Sequence, residues 1–312
     1  MFVAKCPLRI SLLGGSTDQE AFLRKFDHGS VISFPSNLYA YVSIHDNNCG
    51  KYIINYSKSE KVSDPNKIKN DVVRVCLEHF NTVGPVTITF NTNILSTGSG
   101  LASSSAYTIA MIKALSLYTG KPMTEFDACD LAIELERKFN PLTGYQDSYG
   151  CGVGGFKRMD FRLGCRPTFT FFGSEFINSN FTMALYNTGI ARSSTGVLST
   201  LDFDKSFLML EQVDRLQKAI QEKDRETFIE IFRSGWKTKK ETSPVILDNP
   251  DLQALDSLFE TDKDVLGAKL CGAGAGGYFL VLYNKGEKPP IMIGRQPIPI
   301  HISDSGVTGV EV

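Results

Sequence analysis

The sequence predicts an α+β fold arranged in two lobes. Strand-like segments dominate residues 1–90, long helices follow them, and the two do not alternate one for one as they do in a doubly wound parallel sheet. Hydrophobic residues make up 42% and charged residues 21% of the 312 positions, which is typical of a globular protein and excludes a disordered or fibrous chain. We expect an N-terminal domain at residues 1–180 and a C-terminal domain at residues 181–312.

The N-terminal half begins with strands and continues with helices. Runs of β-branched and aromatic residues predict strands at 9–13, 30–44 and 86–90, with a helix at 67–80 between the last two. A long helix begins at the serines 103–105 and ends at Gly120, with Pro122 just beyond it. Thr124 and Asp127 resemble the capping box of a second helix that follows at once.

The C-terminal half returns to short strands and adds further helices. Apolar runs predict strands within 154–161, 167–172 and 181–188. Helical spacing predicts helices at about 206–221, 225–235 and 251–259. The segment 268–283 then has the pattern of a strand, a glycine turn and a second strand.

Charge and cysteine usage restrict the partners of the protein. Lys and Arg total 33 and Asp and Glu total 34, so that the net charge of -1 provides no overall field for nucleic acid or an anionic membrane. We therefore expect neither of these partners. The seven cysteines include no CxxC pair, which argues against a disulfide framework or a zinc site and indicates reduced thiols in a cytoplasmic protein. No export signal or membrane anchor is expected.

A run of small residues before the long helix predicts a phosphate site. Glycines let the backbone approach a ligand, and the helix start offers unpaired N–H groups to an anion. A flexible linker with an ordinary serine cap is the alternative, and the Walker A pattern is absent. The candidate nucleotide-binding residues are Thr97, Gly98, Ser99, Gly100, Leu101, Ala102, Ser103, Ser104 and Ser105.

The glycine cluster at 272–277 contains GxGxxG but does not fit a dinucleotide fingerprint. The segment after it is a predicted strand, whereas a Rossmann turn opens a helix. The sequence allows two interpretations of the cluster. It is either a tight connection between two strands that packs beneath another backbone, or a segment whose backbone lines a nucleotide site.

Carboxylates near residue 140 could serve a metal. Glu136 lies on the apolar face of its predicted helix and Glu134 points away from it, while Asp147 follows in the glycine-rich segment GYQDSYGCG. A half-buried carboxylate close to a serine-lined phosphate loop suits octahedral Mg²⁺ on ATP. Solvent-exposed loop carboxylates are the alternative.

The first strand carries an arginine, Arg9, inside an apolar run, and Asp18 ends the small-residue turn that follows. An ion pair for Arg9 and a simple cap for Asp18 are the plain structural explanations.

Four segments occur in one order: PLRISLLGGSTD, GSGLASSS, the acidic residues near 140, and CGAGAGG. In this order they resemble the GHMP small-molecule kinases over residues 5–283. Within that superfamily, RISLLGGSTD, GYQDSYGCGVGGFKRMDF and the C-terminal HISDSGVTGVEV look most like D-glycero-D-manno-heptose 7-phosphate kinases. Ala102 departs from the glycine that is common in the family motif.

The resemblance implies a fold, a reaction and residue roles. It implies an N-terminal lobe like domain 2 of ribosomal protein S5 and a ferredoxin-like C-terminal lobe. ATP would bind at GSGLASSS, supported by CGAGAGG. Mg²⁺ would be held by Ser104 and Glu136, while Asp147 would accept the proton of the sugar hydroxyl with Arg9 beside it.

The substrate implied by the resemblance is D-glycero-D-manno-heptose 7-phosphate, phosphorylated by ATP on its anomeric hydroxyl. We assign Asp18 to sugar hydroxyls, Arg192 and Lys269 to the 7-phosphate, and Gly274 to the substrate-binding surface. The alternatives are a GHMP kinase for fucose, galactose or a uronic acid, and a catalytically silent sensor of ATP and sugar. The sequence is compatible with a homodimer and does not decide the oligomeric state.

Overall fold

The computed structural model describes residues 1–81, 84–95, 98–191 and 194–312 and confirms the α+β fold in two lobes. Each lobe is organised around one sheet. The elements of the first half are β1 (Phe2–Leu13), α1 (Glu20–Phe26), β2 (Gly29–Asp46), β3 (Tyr52–Asn55), β4 (Ser59–Val62), α2 (Asp71–Phe80), β5 (Val86–Thr92), α3 (Ser103–Tyr118), α4 (Glu125–Arg137), α5 (Gln146–Gly152), β6 (Phe156–Phe161) and β7 (Thr168–Phe172).

The second half contributes the other sheet and most of the remaining helices. Its elements are α6 (Glu175–Asn180), β8 (Phe181–Asn187), α7 (Ser194–Leu198), α8 (Phe203–Glu222), α9 (Arg225–Glu241), α10 (Pro250–Thr261), β9 (Gly267–Leu270), β10 (Tyr278–Asn284), β11 (Ile298–Ile300) and β12 (Thr308–Glu311).

The two sheets differ in size and connection. Among the described residues, the first sheet has the order β12-β1-β2-β5-β3-β4, and β6 adds β7 to it through β2. Its pairs are antiparallel except for β3 and β5. The second sheet is antiparallel with the order β11-β8-β10-β9. The last strand of the chain, β12, pairs with β1, and the domain boundary at 180/181 stays a prediction.

The long helices cover the inner face of the first sheet. Strand β1 and the first half of β2 are mostly buried, and helix α3 packs against both strands with nearly all of its apolar side chains inside the core. Thr124 is the N-cap residue of α4, as predicted. Its hydroxyl accepts a hydrogen bond from the Asp127 N–H at 3.2 Å. These helices bring the phosphate loop and the acidic residues to the end of β1.

Two helices differ from their predicted bounds by four residues or more. The helix predicted at 67–80 begins at Asp71, because the Asn70 side chain caps it. The helix predicted to end at Gly235 continues to Glu241. Gly235 is not a stop signal here: a Cβ at this position would lie 2.3 Å from Leu13 Cδ1, so the glycine permits close packing of α9 on β1.

No helix within the described ranges is long and apolar enough to cross a membrane.

Candidate active site

The buried Arg9 forms an ion pair with Asp147. Arg9 Nε and Nη2 donate to Asp147 Oδ1 at 3.0 and 2.6 Å, and Nη1 donates to the Gly100 carbonyl at 2.6 Å. The β1–β2 register shifts between Pro7 and Arg9, and such irregularities redirect side chains. Arg9 is 3% exposed, whereas the Asp147 side chain is 37% exposed. The pair therefore presents its carboxylate, not its guanidinium, to solvent.

Asp147 lies on a helix, although its glycine-rich surroundings suggest a loop. It belongs to the first turn of α5, which is followed by the buried residues Tyr149 and Gly150. A Cβ at Gly150 would lie 3.1 Å from Arg9 Cβ. The glycine thus lets α5 lie against β1, and this close contact brings Asp147 to the guanidinium.

A buried lysine holds the other end of α5. Lys157 Nζ donates to the Val153 carbonyl at 2.6 Å and to the Gly155 carbonyl at 3.3 Å. Burial lowers the pKa of Lys157 to about 8. A cation at the C-terminal end of a helix is favourable, and this one fixes the helix that carries Asp147.

The predicted phosphate loop leads directly into α3. Gly98 and Gly100 have φ angles of 65° and 77°, and Ala102, the N-cap residue, has φ 60°. Since an alanine side chain cannot cap a helix, the first N–H groups of α3 remain open to an anion. The left-handed φ of Ala102 explains why glycine suits this position better. Thr97, the first predicted nucleotide-binding residue, lies outside the described residues.

Serine hydroxyls stabilise this loop from within. Ser99 and Ser103 share a hydroxyl–hydroxyl hydrogen bond of 2.9 Å, and the Leu101 N–H donates to Ser99 Oγ at 3.2 Å. Ser104 is exposed at the cavity and Ser105 is buried. The serines of this segment therefore divide between holding the loop and facing a ligand.

The glycine turn after β9 packs on the phosphate loop. A Cβ at Gly277 would lie 2.3 Å from the Ser99 carbonyl oxygen and 2.8 Å from that of Gly98. The glycine cluster at 272–277 therefore packs against another backbone, which is one of the two interpretations that its sequence allows. Gly274 is buried against Ile246, while its neighbours Gly272 and Ala273 line the cavity. Its assignment to substrate binding stays a prediction.

Glu136 is surrounded by hydroxyl groups. Its Oε1 accepts from Ser104 Oγ at 3.1 Å and Thr108 Oγ1 at 3.0 Å, and its Oε2 accepts from Ser105 Oγ at 2.8 Å. Burial raises the pKa of Glu136 to about 7 in spite of these three donors, and the charge of Asp147 raises it further. An ionised carboxylate here is costly unless a cation binds it.

The donor set fits magnesium on a nucleotide. Ser104 Oγ and Glu136 Oε1 are oxygen ligands 3.1 Å apart at the start of α3. No group of three or more His, Cys, Asp or Glu residues that could hold a metal occurs in the described part of the chain. Mg²⁺ characteristically takes one or two protein oxygens and completes its shell with phosphates and water.

Asp18 is held by Gln146, the neighbour of Asp147. Its Oδ2 accepts from the Gln146 backbone N–H and its Oδ1 from Gln146 Nε2, both at 2.9 Å. Ser11 Oγ donates to Gln146 Oε1 at 3.1 Å. Burial raises the pKa of Asp18 to about 6, opposed by the Gln146 hydrogen bond. The arrangement fixes the carboxylate beside the Arg9–Asp147 pair.

Two lysines reach this region from the second half of the chain. Lys269 Nζ donates to the carbonyls of Ser11 and Leu12, each at 2.8 Å, and burial lowers its pKa to about 8. Lys239 Nζ donates to Ser16 Oγ at 2.8 Å. Sequence reasoning missed Lys239, which lies beyond the predicted end of its helix, and Arg192 lies outside the described residues.

One cavity of about 410 Å³ brings these groups together. It contains the carboxylates and cations that the sequence placed far apart, together with the phosphate loop, and it adds Lys239 and Gln19, which the sequence analysis did not identify. The charged and loop residues that line it are Arg9, Asp18, Gly98, Ser99, Gly100, Ala102, Ser103, Ser104, Ser105, Glu136, Asp147, Lys239 and Lys269.

Comparisons with known proteins show which family the sequence resembles. Residues 66–155 match the model of the GHMP kinases N terminal domain. The chain is 26% identical to a D-glycero-alpha-D-manno-heptose 7-phosphate kinase of Campylobacter jejuni over 90% of this chain and 89% of the relative. It is 24% identical to a galactokinase of Thermotoga maritima over the same shares.

Solved structures show the same fold. A crystal structure named as a D-glycero-D-manno-heptose 1-phosphate kinase from Bacteroides thetaiotaomicron superposes with a TM-score of 0.79 at 22% identity. The match covers 100% of this chain and 99% of that one. A mevalonate kinase crystal structure superposes with a TM-score of 0.72 at 17% identity over 97% and 99% of the two chains. The family model thus identifies a GHMP kinase N-terminal domain at residues 66–155, and the solved structures share the two-lobe fold of the whole chain.

Proposed function

We propose that this GHMP kinase transfers the γ-phosphoryl group of ATP to the anomeric hydroxyl of D-glycero-D-manno-heptose 7-phosphate, forming the 1,7-bisphosphate. The observation that carries the proposal is the charge of the cavity. Lys239 lines the same cavity as the Arg9–Asp147 pair and donates to Ser16 near Asp18, and a free sugar would not require a cation there. The heptose 7-phosphate kinase of Campylobacter jejuni is a relative along 90% of the chain and supports the same substrate.

The nucleotide would lie on the loop before α3. The open N–H groups at the start of this helix and the positive-φ glycines would receive the phosphates. When bound, Mg²⁺ would be held by Ser104 and Glu136 and would neutralise charge on the transferring phosphoryl group. Gly277 would keep the loop in place from the other lobe.

The sugar would lie between Asp18 and Asp147. Asp18 would accept hydrogen bonds from sugar hydroxyls, since Gln146 already fixes both of its oxygens in orientation. Asp147 would accept the proton of the anomeric hydroxyl. The oxygen of that hydroxyl would form a bond to the γ-phosphorus of ATP, and the bond between the γ-phosphorus and the bridging oxygen would break, which releases ADP. Arg9 would stabilise charge on the phosphoryl oxygens, and such a loose transition state depends mainly on positioning and positive charge.

A substrate panel tests the proposal. ADP release would be measured with ATP and Mg²⁺ on heptose 7-phosphate, the same heptose without its phosphate, mannose 6-phosphate, fucose, galactose and glucuronate. We expect selective turnover of heptose 7-phosphate. Preference for a free sugar would contradict the proposed substrate and retain a kinase, whereas ATP binding without turnover of any sugar would favour a catalytically silent sensor.

A further inference from the structure

We propose that Lys239 binds the phosphate at the far end of the sugar and makes the enzyme select a phosphorylated substrate. The inference rests on the proposed function and assigns the specificity to a residue outside the family motifs. Four features of the cavity lead to it: the burial of Lys239, its place relative to Asp18, the different surroundings of Lys269, and an unsatisfied donor on Gln19.

Lys239 is a buried cation in the wall of the cavity. Its side chain is 7% exposed, and its ammonium donates to Ser16 Oγ, a neutral acceptor. Burying an ammonium carries a large desolvation cost, which a dianionic ligand would offset. A phosphate oxygen in this cavity would form a charge-assisted hydrogen bond with the ammonium, which is stronger than a bond to a neutral hydroxyl such as that of Ser16.

The position of Lys239 is on the sugar side of the cavity. Gln146 is the chain neighbour of Asp147 and donates to Asp18. Ser16 lies two residues before Asp18 in the chain and accepts from Lys239. The anomeric oxygen and the 7-phosphate are at opposite ends of a heptose. A sugar whose reactive end lies at Asp147 and whose hydroxyls lie at Asp18 would therefore extend its phosphate toward Ser16 and Lys239.

Close helix packing delivers Lys239 to this point. Gly235 lies one turn before it on α9 and contacts Leu13, where a Cβ would be only 2.3 Å from Cδ1. Residues four apart share one face of a helix. The face of α9 that contacts the end of β1 through Gly235 therefore also places the Lys239 ammonium at the loop that follows β1, where Ser16 lies.

Lys269 occupies a different part of the cavity. It donates to the carbonyls of Ser11 and Leu12 on β1. The positive charge of Arg9 contributes to lowering the pKa of Lys269, after burial, so the two cations are neighbours. This places Lys269 at the reacting end, where the phosphoryl group is transferred, and leaves the far end of the sugar to Lys239.

A second donor accompanies Lys239. Gln19 is 7% exposed and lines the cavity, and its Nε2 has no hydrogen-bond partner among the described residues. A buried amide without a partner loses its hydration and gains no hydrogen bond in return. A phosphate or hydroxyl oxygen of the substrate would accept this hydrogen bond.

The test compares phosphorylated and unphosphorylated forms of one sugar. For wild type, Lys239→Met and Lys239→Arg, kcat and KM would be measured with heptose 7-phosphate and with the same heptose lacking the phosphate. We expect Lys239→Met to raise KM for the phosphorylated sugar by about 10–100-fold, the range of a charged hydrogen bond, and to leave KM for the free sugar within about twofold. Lys239→Arg should retain most of the preference, because it keeps the charge.

Controls separate the role of the charge from that of packing. Lys237→Met, on the exposed face of the same helix, should change neither KM. Lys269→Met should instead lower kcat on both sugars. Lys239→Gln, which keeps a donor for Ser16, repeats the test if the methionine variant does not fold.

The outcomes distinguish this inference from the proposed function. Equal losses of Lys239→Met on both sugars, or no loss on either, would overturn the role of Lys239 while heptose 7-phosphate remained the substrate of the wild type. If the wild type itself did not prefer the phosphorylated sugar, the proposed substrate would fail, and the assignment of Lys239 would fail with it.

Discussion

The two walls of the cavity are built in opposite ways. The wall from the N-terminal half carries Asp18, Glu136 and Asp147, and each carboxylate is oriented by donors from that same half, such as Gln146 for Asp18. The wall from the C-terminal half carries Lys239 and Lys269, whose ammonium groups donate across to the first half. The carboxylates are thus fixed within one lobe, whereas the position of the lysines depends on how the two halves meet.

This difference separates two tasks. Groups that act on the reacting atoms need fixed geometry, because a small misplacement costs much of the rate. Groups that bind a remote phosphate contribute mainly to affinity, and affinity tolerates a longer and more flexible side chain. Substitution of Asp147, the carboxylate at the reacting atoms, should therefore change kcat, whereas substitutions of groups that bind the rest of the sugar, such as Lys239, should change KM.

The largest effect is expected from Asp147→Asn. The amide cannot accept the hydroxyl proton, so kcat should fall by about 10²-fold or more, the usual contribution of a positioned base. KM for ATP should stay within about twofold, because Asp147 lies outside the phosphate loop. Steady-state kinetics with saturating ATP would measure both constants.

A matched substitution controls for the loss of a negative charge. Glu134→Gln neutralises an exposed carboxylate on α4 and should leave kcat unchanged. Full activity of Asp147→Asn would remove this residue from the chemistry. A rise in KM for ATP with unchanged kcat would assign Asp147 to nucleotide binding, like Glu136 on the same wall, and would remove it from the transfer step.

An intermediate effect is expected where the two halves touch through backbone. In Gly277→Ala the added Cβ would lie 2.3 Å from the Ser99 carbonyl oxygen, so the phosphate loop must shift. We expect KM for ATP to rise by about tenfold, equivalent to about 1.4 kcal/mol, with a smaller change in KM for the sugar. Nucleotide titration followed by calorimetry would measure the loss of affinity directly.

Gly286→Ala isolates the effect of the contact. Gly286 has φ +86°, close to the +93° of Gly277, but a Cβ there would meet no atom within 4 Å. Both variants carry the strain of a left-handed alanine, and only one carries the clash. Equal losses of ATP affinity in the two variants would attribute the effect to strain and not to support of the loop.

Much of the carboxylate wall could be predicted from the sequence, because its residues lie in short motifs with local signals. The small residues before α3 predict the phosphate loop, and helical spacing places Glu136 on a buried face. The glycine-rich segment around Asp147 does not indicate a helix, because glycine has a low helix propensity. Here those glycines allow α5 to approach β1, and close packing outweighs their low helix propensity.

The lysine wall could not be predicted in the same way. Gly235 has the pattern of a helix end, and only its contact with Leu13 shows why the helix continues to Lys239. The acceptors of Lys269 are backbone carbonyls of β1, which no residue pattern near position 269 indicates. Side chains that reach across two halves depend on tertiary packing, and a local pattern does not encode that packing.

The smallest effect concerns pH and the carboxylate that we assign to sugar hydroxyls. Burial raises the pKa of Asp18 from 3.8 to about 6. The group is therefore mostly protonated at pH 5.5 and mostly ionised at pH 7, and only the ionised form can accept from sugar hydroxyls with both oxygens. KM for the heptose without its phosphate, which does not titrate in this interval, should fall by about fourfold as the pH rises across it, in proportion to the ionised fraction of Asp18.

Asp18→Asn identifies the group responsible for this pH dependence. The amide does not titrate, so KM for the heptose without its phosphate should be higher than in wild type and constant between pH 5.5 and 7, whereas KM for ATP should follow the same profile in both proteins. A KM for the sugar that still falls with pH in the variant would assign the titration to another group. A flat profile in the wild type would mean that Asp18 is ionised throughout, because the fixed donors of Gln146 then outweigh the cost of burying its charge.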